Sequence, residues 1–293
     1  MQHNLFDADF MRKLEAMHFL AKKASHGRSH GERTTLRRGM SLDFSDYRRY
    51  QAGDDFRYID WNVYSRLDRL FLKVFTAEED LSIHLLLDTS RSMQLGEPVK
   101  LDYARKVAAA LSYIALCGLD RVGVVSFAGE LGASRPPQRG RQQIFSLFDY
   151  FRNLECCGST DLNGALSHYA RKSRKAGLAI VISDLFDPNG YERGLNELLY
   201  KNFDLLVIHV VDETEMNPIL QGAMRLQDVE SNRERKLTIN RRILQLYRQK
   251  IAEYLLQIET FCSQRKIEYL RAATDIPFED LILRYLRSGL HLY

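Results

Sequence analysis

Residues 81 to 92, LSIHLLLDTSRS, end a short apolar run in Asp88 and follow it with hydroxyls at Ser90 and Ser92. Oxygen side chains at every second position of a tight loop can converge on one hard cation. Two further oxygen donors stand in comparable places. Thr160, in GSTDL, comes just before a helical pattern, and Asp184 closes the apolar run LAIVISD. Neither histidine nor cysteine joins Asp88, Ser90, Ser92, Thr160 and Asp184, so magnesium, with manganese as an alternative, suits the set better than zinc; calcium would normally take more carboxylates. Two carboxylates and three neutral hydroxyls compensate a divalent cation weakly and leave it an open position, which an Asp or Glu of a partner could fill. The plainer reading is that these groups cap helices and satisfy loop backbone.

The elements that must position such a set follow from periodicity. The run Leu85, Leu86, Leu87 is too continuous for a half-exposed strand and reads as a central parallel strand, with ligands expected beyond its carboxyl end. Strand and helix then alternate as far as residue 211. A helix carries Ala104, Val107, Ala108, Leu111 and Ile114 on one face and stops at Gly118; RVGVVSFAG is a strand; Glu130 to Arg135 reads as a short edge strand before Pro136 and Pro137. A helix over 141 to 154, a helix after Thr160, strand LAIVISD, helix YERGLNELLYKN and strand FDLLVIHVVD follow. This order predicts an α/β fold with a doubly wound, mostly parallel sheet and right-handed crossovers. Three strands end in aspartate, and Asp212 reads as a cap. His84, inside an apolar strand, reads as a core histidine. Beyond Asp212 the pattern predicts a strand at Ala223 to Asp228, polar SNRERK, a helix from Asn240 to Gln264, strand KIEYLRA and a helix near Phe278 to Arg287.

The chain has 293 residues, 45% of them hydrophobic, and a formal net charge of +4, enough for a substantial core and too little charge to demand nucleic acid as a partner. The four cysteines lack metal or redox spacing, as expected of a reduced protein, and no stretch is long and apolar enough for a membrane span or a signal segment. A cytoplasmic location is the expectation. Residues 7 to 23 form an amphipathic helix on Phe10, Leu14 and Met17. Residues 25 to 39 gather Arg28, Arg33, Arg37 and Arg38, a solvated basic loop or one that contacts phosphates. Residues 42 to 66 crowd aromatics, arginines and aspartates without clear periodicity. They read as a lattice of Arg, Asp and aromatic contacts or as a partner surface, with Arg57, Asp60, Trp61 and Arg66 the residues to watch. A soft boundary near residue 79 separates an N-terminal extension, 1 to 79, from an α/β domain, 80 to 293.

The motif DTSRS at 88 to 92, with Thr160 in GSTDL and Asp184 in VISDL, resembles the metal-ion-dependent adhesion site of von Willebrand factor A domains. The resemblance implies that Ser90, Ser92 and Thr160 are direct or near-direct ligands, while Asp88 and Asp184 act largely through water and by orienting the hydroxyls. The segment GMSLDFSDYRRYQAGDDFRYIDWNVYSR resembles the signature of a bacterial branch carrying the domain of unknown function fifty-eight. That branch often accompanies MoxR-type AAA+ ATPases, which implies an adaptor or regulator of such an ATPase, with a client protein as a further partner.

Two other functions compete with this non-enzymatic module. A phosphatase of the haloacid dehalogenase type would use Asp88 as nucleophile and Asp184 and Asp187 as metal acids, but it needs a carboxylate two positions after the nucleophile, where this chain has Ser90. Nucleic-acid binding would use the loop at 28 to 38. The chain contains neither a G-x-x-x-x-G-K-[ST] phosphate loop nor a G-x-S-x-G elbow.

Overall fold

The computed structural model describes residues 5–26, 43–76, 81–220, 222–229 and 234–288. In chain order the first helix is α1 (Ala8–His26), followed by β1 (Asp43–Arg49), α2 (Trp61–Leu67) and β2 (Phe71–Thr76). The alternating region comprises β3 (Ser82–Asp88), α3 (Lys100–Cys117), β4 (Arg121–Phe127), β5 (Leu131–Arg139), α4 (Gln143–Arg152), α5 (Leu162–Lys172), β6 (Leu178–Ser183), α6 (Glu192–Tyr200) and β7 (Asp204–Val211). It ends with α7 (Glu213–Met216), β8 (Gly222–Gln227), β9 (Glu234–Ile239), α8 (Arg241–Gln264), β10 (Glu268–Ala273) and α9 (Phe278–Ser288). The basic loop at 28 to 38 lies outside the described residues.

Six strands form one sheet in the order β10-β7-β6-β3-β4-β5, parallel except for β5. Strand β3 is buried along its whole length between β4 and β6, which accounts for its unbroken leucines. Its side chains alternate between two cores. Ile83, Leu85 and Leu87 join α1, α3, α4 and α9, while Leu86 joins α5, α6 and α8. Helices thus cover both faces, and the doubly wound, mostly parallel sheet expected from the sequence is the one that forms. The chain leaves β3 toward β4 on one side and later adds β6 on the other, so the strand order reverses at the carboxyl edge between β3 and β6. That is where such sheets open a crevice.

Helix α1 packs with the α/β unit rather than with the segment that follows it, so the contacts divide the chain differently from a boundary at residue 79. Phe6 stacks on Phe148 at 4.9 Å, Phe10 meets Phe278 at 5.2 Å, and Leu14 and Met17 are buried. The described part of His26–Asp80 forms a second unit, in which β1 and β2 pair antiparallel.

Three local expectations change. Strand β5 continues through Pro136 and Pro137 to Arg139, which an edge strand paired on one side only can tolerate. Part of the polar stretch after residue 230 becomes β9, antiparallel to β8; nearly every residue of this hairpin is exposed, so no buried face left a period-2 signal. In the second unit β1 and α2 form where no periodicity was legible.

His84 is buried in β3 with Nδ1 2.7 Å from the Tyr169 hydroxyl, and burial holds its pKa down at about 4, against a usual value of 6.5. The unfolded chain therefore binds the proton more readily than the folded one. The contribution is complete above the unfolded value and is lost as the pH falls toward 4. Urea denaturation should show about 2 kcal/mol of stability lost through this group between about pH 7 and pH 5, and His84→Gln should flatten the profile by that amount.

Candidate functional site

Strand β3 delivers Asp88 and β6 delivers Ser183 and Asp184 side by side, through the parallel register Leu87 to Ile182. Both carboxylates are fully buried. Asp88 Oδ1 accepts the Ser90 backbone N–H at 2.8 Å, and Oδ2 accepts the Ser183 hydroxyl at 2.5 Å. Ser183 in turn accepts the Leu185 N–H. Burial, and after it the negative charge of Asp184, pushes Asp88 up to about 7, while the bonds from Ser183 and Ser90 pull the other way.

The Ser90 and Ser92 hydroxyls lie 2.9 Å apart. Thr160 is buried, and its loop is tied to the serine loop by Cys157 N–H to Thr89 O at 2.7 Å and Arg91 N–H to Gly158 O at 3.4 Å. The following residues are tied to the loop after β6, where Asp187 accepts the Leu162 N–H at 2.7 Å. Four of the five expected residues thus sit on loops locked to one another, and Asp184 borders them at the same strand edge. A cleft of about 490 Å³ opens alongside, lined by Thr89, Ala128, Glu130, Gly158 and Ser159 among others.

No sequence motif marks Lys100. Its side chain is fully buried, with Nζ 2.8 Å from Asp184 Oδ2 and 2.5 Å from Glu215 Oε1. Burial disfavours its charge, but Asp184 and Glu215 more than offset that, so the ammonium persists. For Glu215 burial wins over Lys100 and raises the carboxyl above its usual range. A signal did exist: Lys100 falls on the Ala104, Val107 and Leu111 stripe of α3, a face otherwise wholly apolar. His209 completes the surround. Its Nε2 meets the Asp184 carbonyl at 2.9 Å and its Nδ1 the Tyr269 hydroxyl at 2.8 Å. A carbonyl can only accept, so Nε2 carries the proton, and burial holds the ring neutral with a pKa of about 4. Asp212 is the cap expected of it: its carboxylate accepts Thr214 N–H and the Thr274 hydroxyl, each at 2.9 Å.

Among the described residues no three His, Cys, Asp or Glu side chains gather in a way that could hold a metal. A cation here would depend on hydroxyl oxygens. The Asp88 carboxylate holds Ser90 and Ser183, and that of Asp184 holds Lys100 and the Phe186 N–H. A hydroxyl oxygen carries two lone pairs, so Ser90, Ser92 and Thr160 could each offer one to a cation even while hydrogen-bonded. The donor set, oxygen only and largely neutral, is of the kind that would suit a hard cation rather than a soft one.

In the second unit Asp60 is buried and turned inward. It caps α2 by accepting the Asn62 and Val63 N–H groups, and it holds Lys73 at 3.0 Å and the Tyr47 hydroxyl at 2.9 Å. Lys73 is the main reason its carboxyl falls to about 2. The carboxylate of Asp60 is thus engaged within its own unit. Arg57 pairs with Asp55 and Arg48 with Asp54, both at 2.7 Å. Trp61, at 61% exposure, Arg57 and Arg66 remain on the surface, with Phe56 and Leu67 also exposed.

A family model described as "Protein of unknown function DUF58" matches residues 46–255, well over half of the chain. The chain belongs to this family. The DUF58 match takes in most of the second unit and all of Asp88, Ser90, Ser92, Thr160 and Asp184. The chain is 26% identical over 245 residues to uncharacterized proteins of Mycobacterium bovis and Mycobacterium tuberculosis, covering 82% of this chain and 77% of theirs. Similar solved structures include the conserved hypothetical protein BatB from Bacteroides thetaiotaomicron (16% identity, TM-score 0.44, 71% of this chain and 99% of that one). An aerotolerance-related membrane protein from Bacteroides fragilis is similar at 16% identity and a TM-score of 0.46, over 71% and 99% of the two chains. The vWF domain of the type V pili tip protein Mfa5 from Porphyromonas gingivalis is similar at 18% identity and a TM-score of 0.31, over 36% and 38%. The fold rests on the sheet order itself rather than on these distant likenesses. No helix among the described residues is long and apolar enough to cross a membrane.

Lys100→Met removes the cation and leaves Asp184 and Glu215 buried without it. Urea denaturation should show a loss on the order of 3–5 kcal/mol, partly restored by Asp184→Asn in the same chain. Unchanged stability would mean that the buried ion pair does not hold this edge together.

Proposed function

We propose that this DUF58 protein is a non-enzymatic interaction module that binds a partner's carboxylate through a magnesium ion. Ser90, Ser92 and Thr160 would hold the ion, Asp88 and Asp184 would orient the hydroxyls and supply charge, and the partner's Asp or Glu would complete the coordination. The ion's role is electrostatic: it gives an incoming carboxylate a positive target at a strand edge whose own side chains are largely acidic. The observation that carries the reading is the locking of the Asp88–Ser92 loop to the Thr160 loop at the carboxyl edge of β3, beside Asp184. Lys100 deepens it. By neutralising part of the Asp184 charge it lowers the site's intrinsic hold on a cation, so a partner's carboxylate contributes more to the bound state.

The partner we propose is a MoxR-type AAA+ ATPase, in the cytoplasm, with a client protein as a further ligand. Its support is the resemblance of residues 39 to 66 to the branch that accompanies such ATPases. The exposed Trp61, with Arg57 and Arg66, supports a second contact surface of the kind that carries binding energy. The phosphatase reading is disfavoured by Asp88 itself, which is fully buried with both oxygens engaged and so is poorly placed to attack a substrate.

Affinity purification from the native cells, in magnesium and in EDTA, tests the proposal. An AAA+ ATPase should be recovered only with magnesium, and Ser90→Ala with Ser92→Ala should reduce recovery at least tenfold while leaving the melting temperature unchanged. Recovery that ignores both EDTA and the serines would refute the metal-bridged mode, and failure to recover any AAA+ protein would refute the partner.

A further inference from the structure

At the opposite end of the sheet, where β3 and β4 begin at Ser82 and Arg121, a cavity of about 400 Å³ opens between the edge strand β5 and the end of α5. That is the size of a small-molecule site. Five cations line it: Arg121, Arg135 on β5, and Lys172, Arg174 and Lys175 at the end of α5 and in the turn beyond. None of its lining residues is an Asp or Glu. Some of that charge has a local cause. Lys172 complements the carboxyl end of α5, and Arg135 bonds Ser146 and lies 5.9 Å from the centre of the Tyr150 ring.

The wall of the cavity has no such explanation. His84 is 3% exposed and its Nε2 is buried with no hydrogen-bond partner. His84 Nδ1 is taken by the Tyr169 hydroxyl at 2.7 Å, so Nε2 is the ring's remaining polar atom, buried at the wall of a cationic cavity. Buried polar atoms are rarely left in that state. The apolar part of the lining is rigid. Pro136 and Pro137 lie where the β4–β5 register shifts, and a Cβ on Gly123 would come within 2.7 Å of Pro137 N.

We propose that this cavity binds a small phosphorylated molecule of nucleotide size. Its phosphate would be held by Arg121 and the Lys172 to Lys175 turn, and its apolar body would rest on Val124, Leu131 and Pro137, with His84 Nε2 hydrogen-bonding a polar atom of the ligand. Guanidinium and ammonium groups are the usual phosphate donors, and the proline wall suits a flat ring. The inference does not depend on the strand-end cation, since the two sites lie at opposite ends of β3.

The test is calorimetric titration of the full chain in EDTA with ATP, inorganic phosphate and a short single-stranded oligonucleotide as probes. ATP should bind saturably and more weakly as salt rises, and phosphate should compete with it. Ser134→Trp, which fills the cavity from exposed β5, should weaken ATP at least tenfold, as should Lys172→Ala with Lys175→Ala, two exposed changes that leave the core intact. His84→Phe should weaken it by a smaller factor. Absence of saturable ATP binding would overturn the proposal, as would an affinity indifferent to both the tryptophan and the double lysine change. Oligonucleotide binding tighter than ATP and insensitive to Ser134→Trp would overturn it too, because it would mark an open basic surface rather than a cavity.

Discussion

Two carboxylates buried side by side are the constraint that shapes this protein's strand edge. Asp88 and Asp184 end neighbouring parallel strands with no exposed surface, an arrangement that like charges in a dry interior resist. Each neighbouring group answers that problem. Ser183 and the Ser90 amide hold Asp88, and Lys100 supplies Asp184 with a full positive charge from α3. His209 remains neutral and fixes the Asp184 backbone instead of adding a competing cation. The serine loop is consequently anchored by Asp88, and the Thr160 loop is tied to it by backbone hydrogen bonds.

That arrangement divides the work between charge and geometry. An ammonium fixed inside the fold is a permanent counter-ion, so the edge can hold two acids with no metal. A divalent ion would then be an addition to a finished structure, coordinated by neutral hydroxyls and dependent on charge arriving from a partner. Such a site suits reversible assembly better than permanent metal storage. The parallel strands carry the contrast further. Their carboxyl ends gather acids and hydroxyls, and their amino ends, at Arg121 and beyond α5, gather cations around His84.

Much of this was legible in the sequence, for physical reasons that differ by residue. The Leu85 to Leu87 run, the α3 stripe and the strand-end aspartates reported burial directly, because periodicity and burial are the same constraint. Lys100 was missed because a charged residue on an apolar stripe looks like an exception until its partners come from residues 184 and 215, which no local pattern links to it. The capping and ion-pair role of Asp60 was not legible because its partners, Asn62, Val63 and Lys73, depend on α2 and on the β1–β2 pairing. Strand β8 was legible, but β9 left no period-2 signal because all but its last residue is exposed. The place of α1 depended on aromatic contacts to Phe148 and Phe278, more than a hundred residues away.

The most direct measurement is electron paramagnetic resonance of manganese titrated into the purified chain, with and without added acetate as a stand-in for a partner's carboxylate. The account predicts a single saturable ion, bound more tightly when acetate is present and lost when Thr160 is changed to valine. No saturable manganese, or binding unchanged by Thr160→Val, would contradict it.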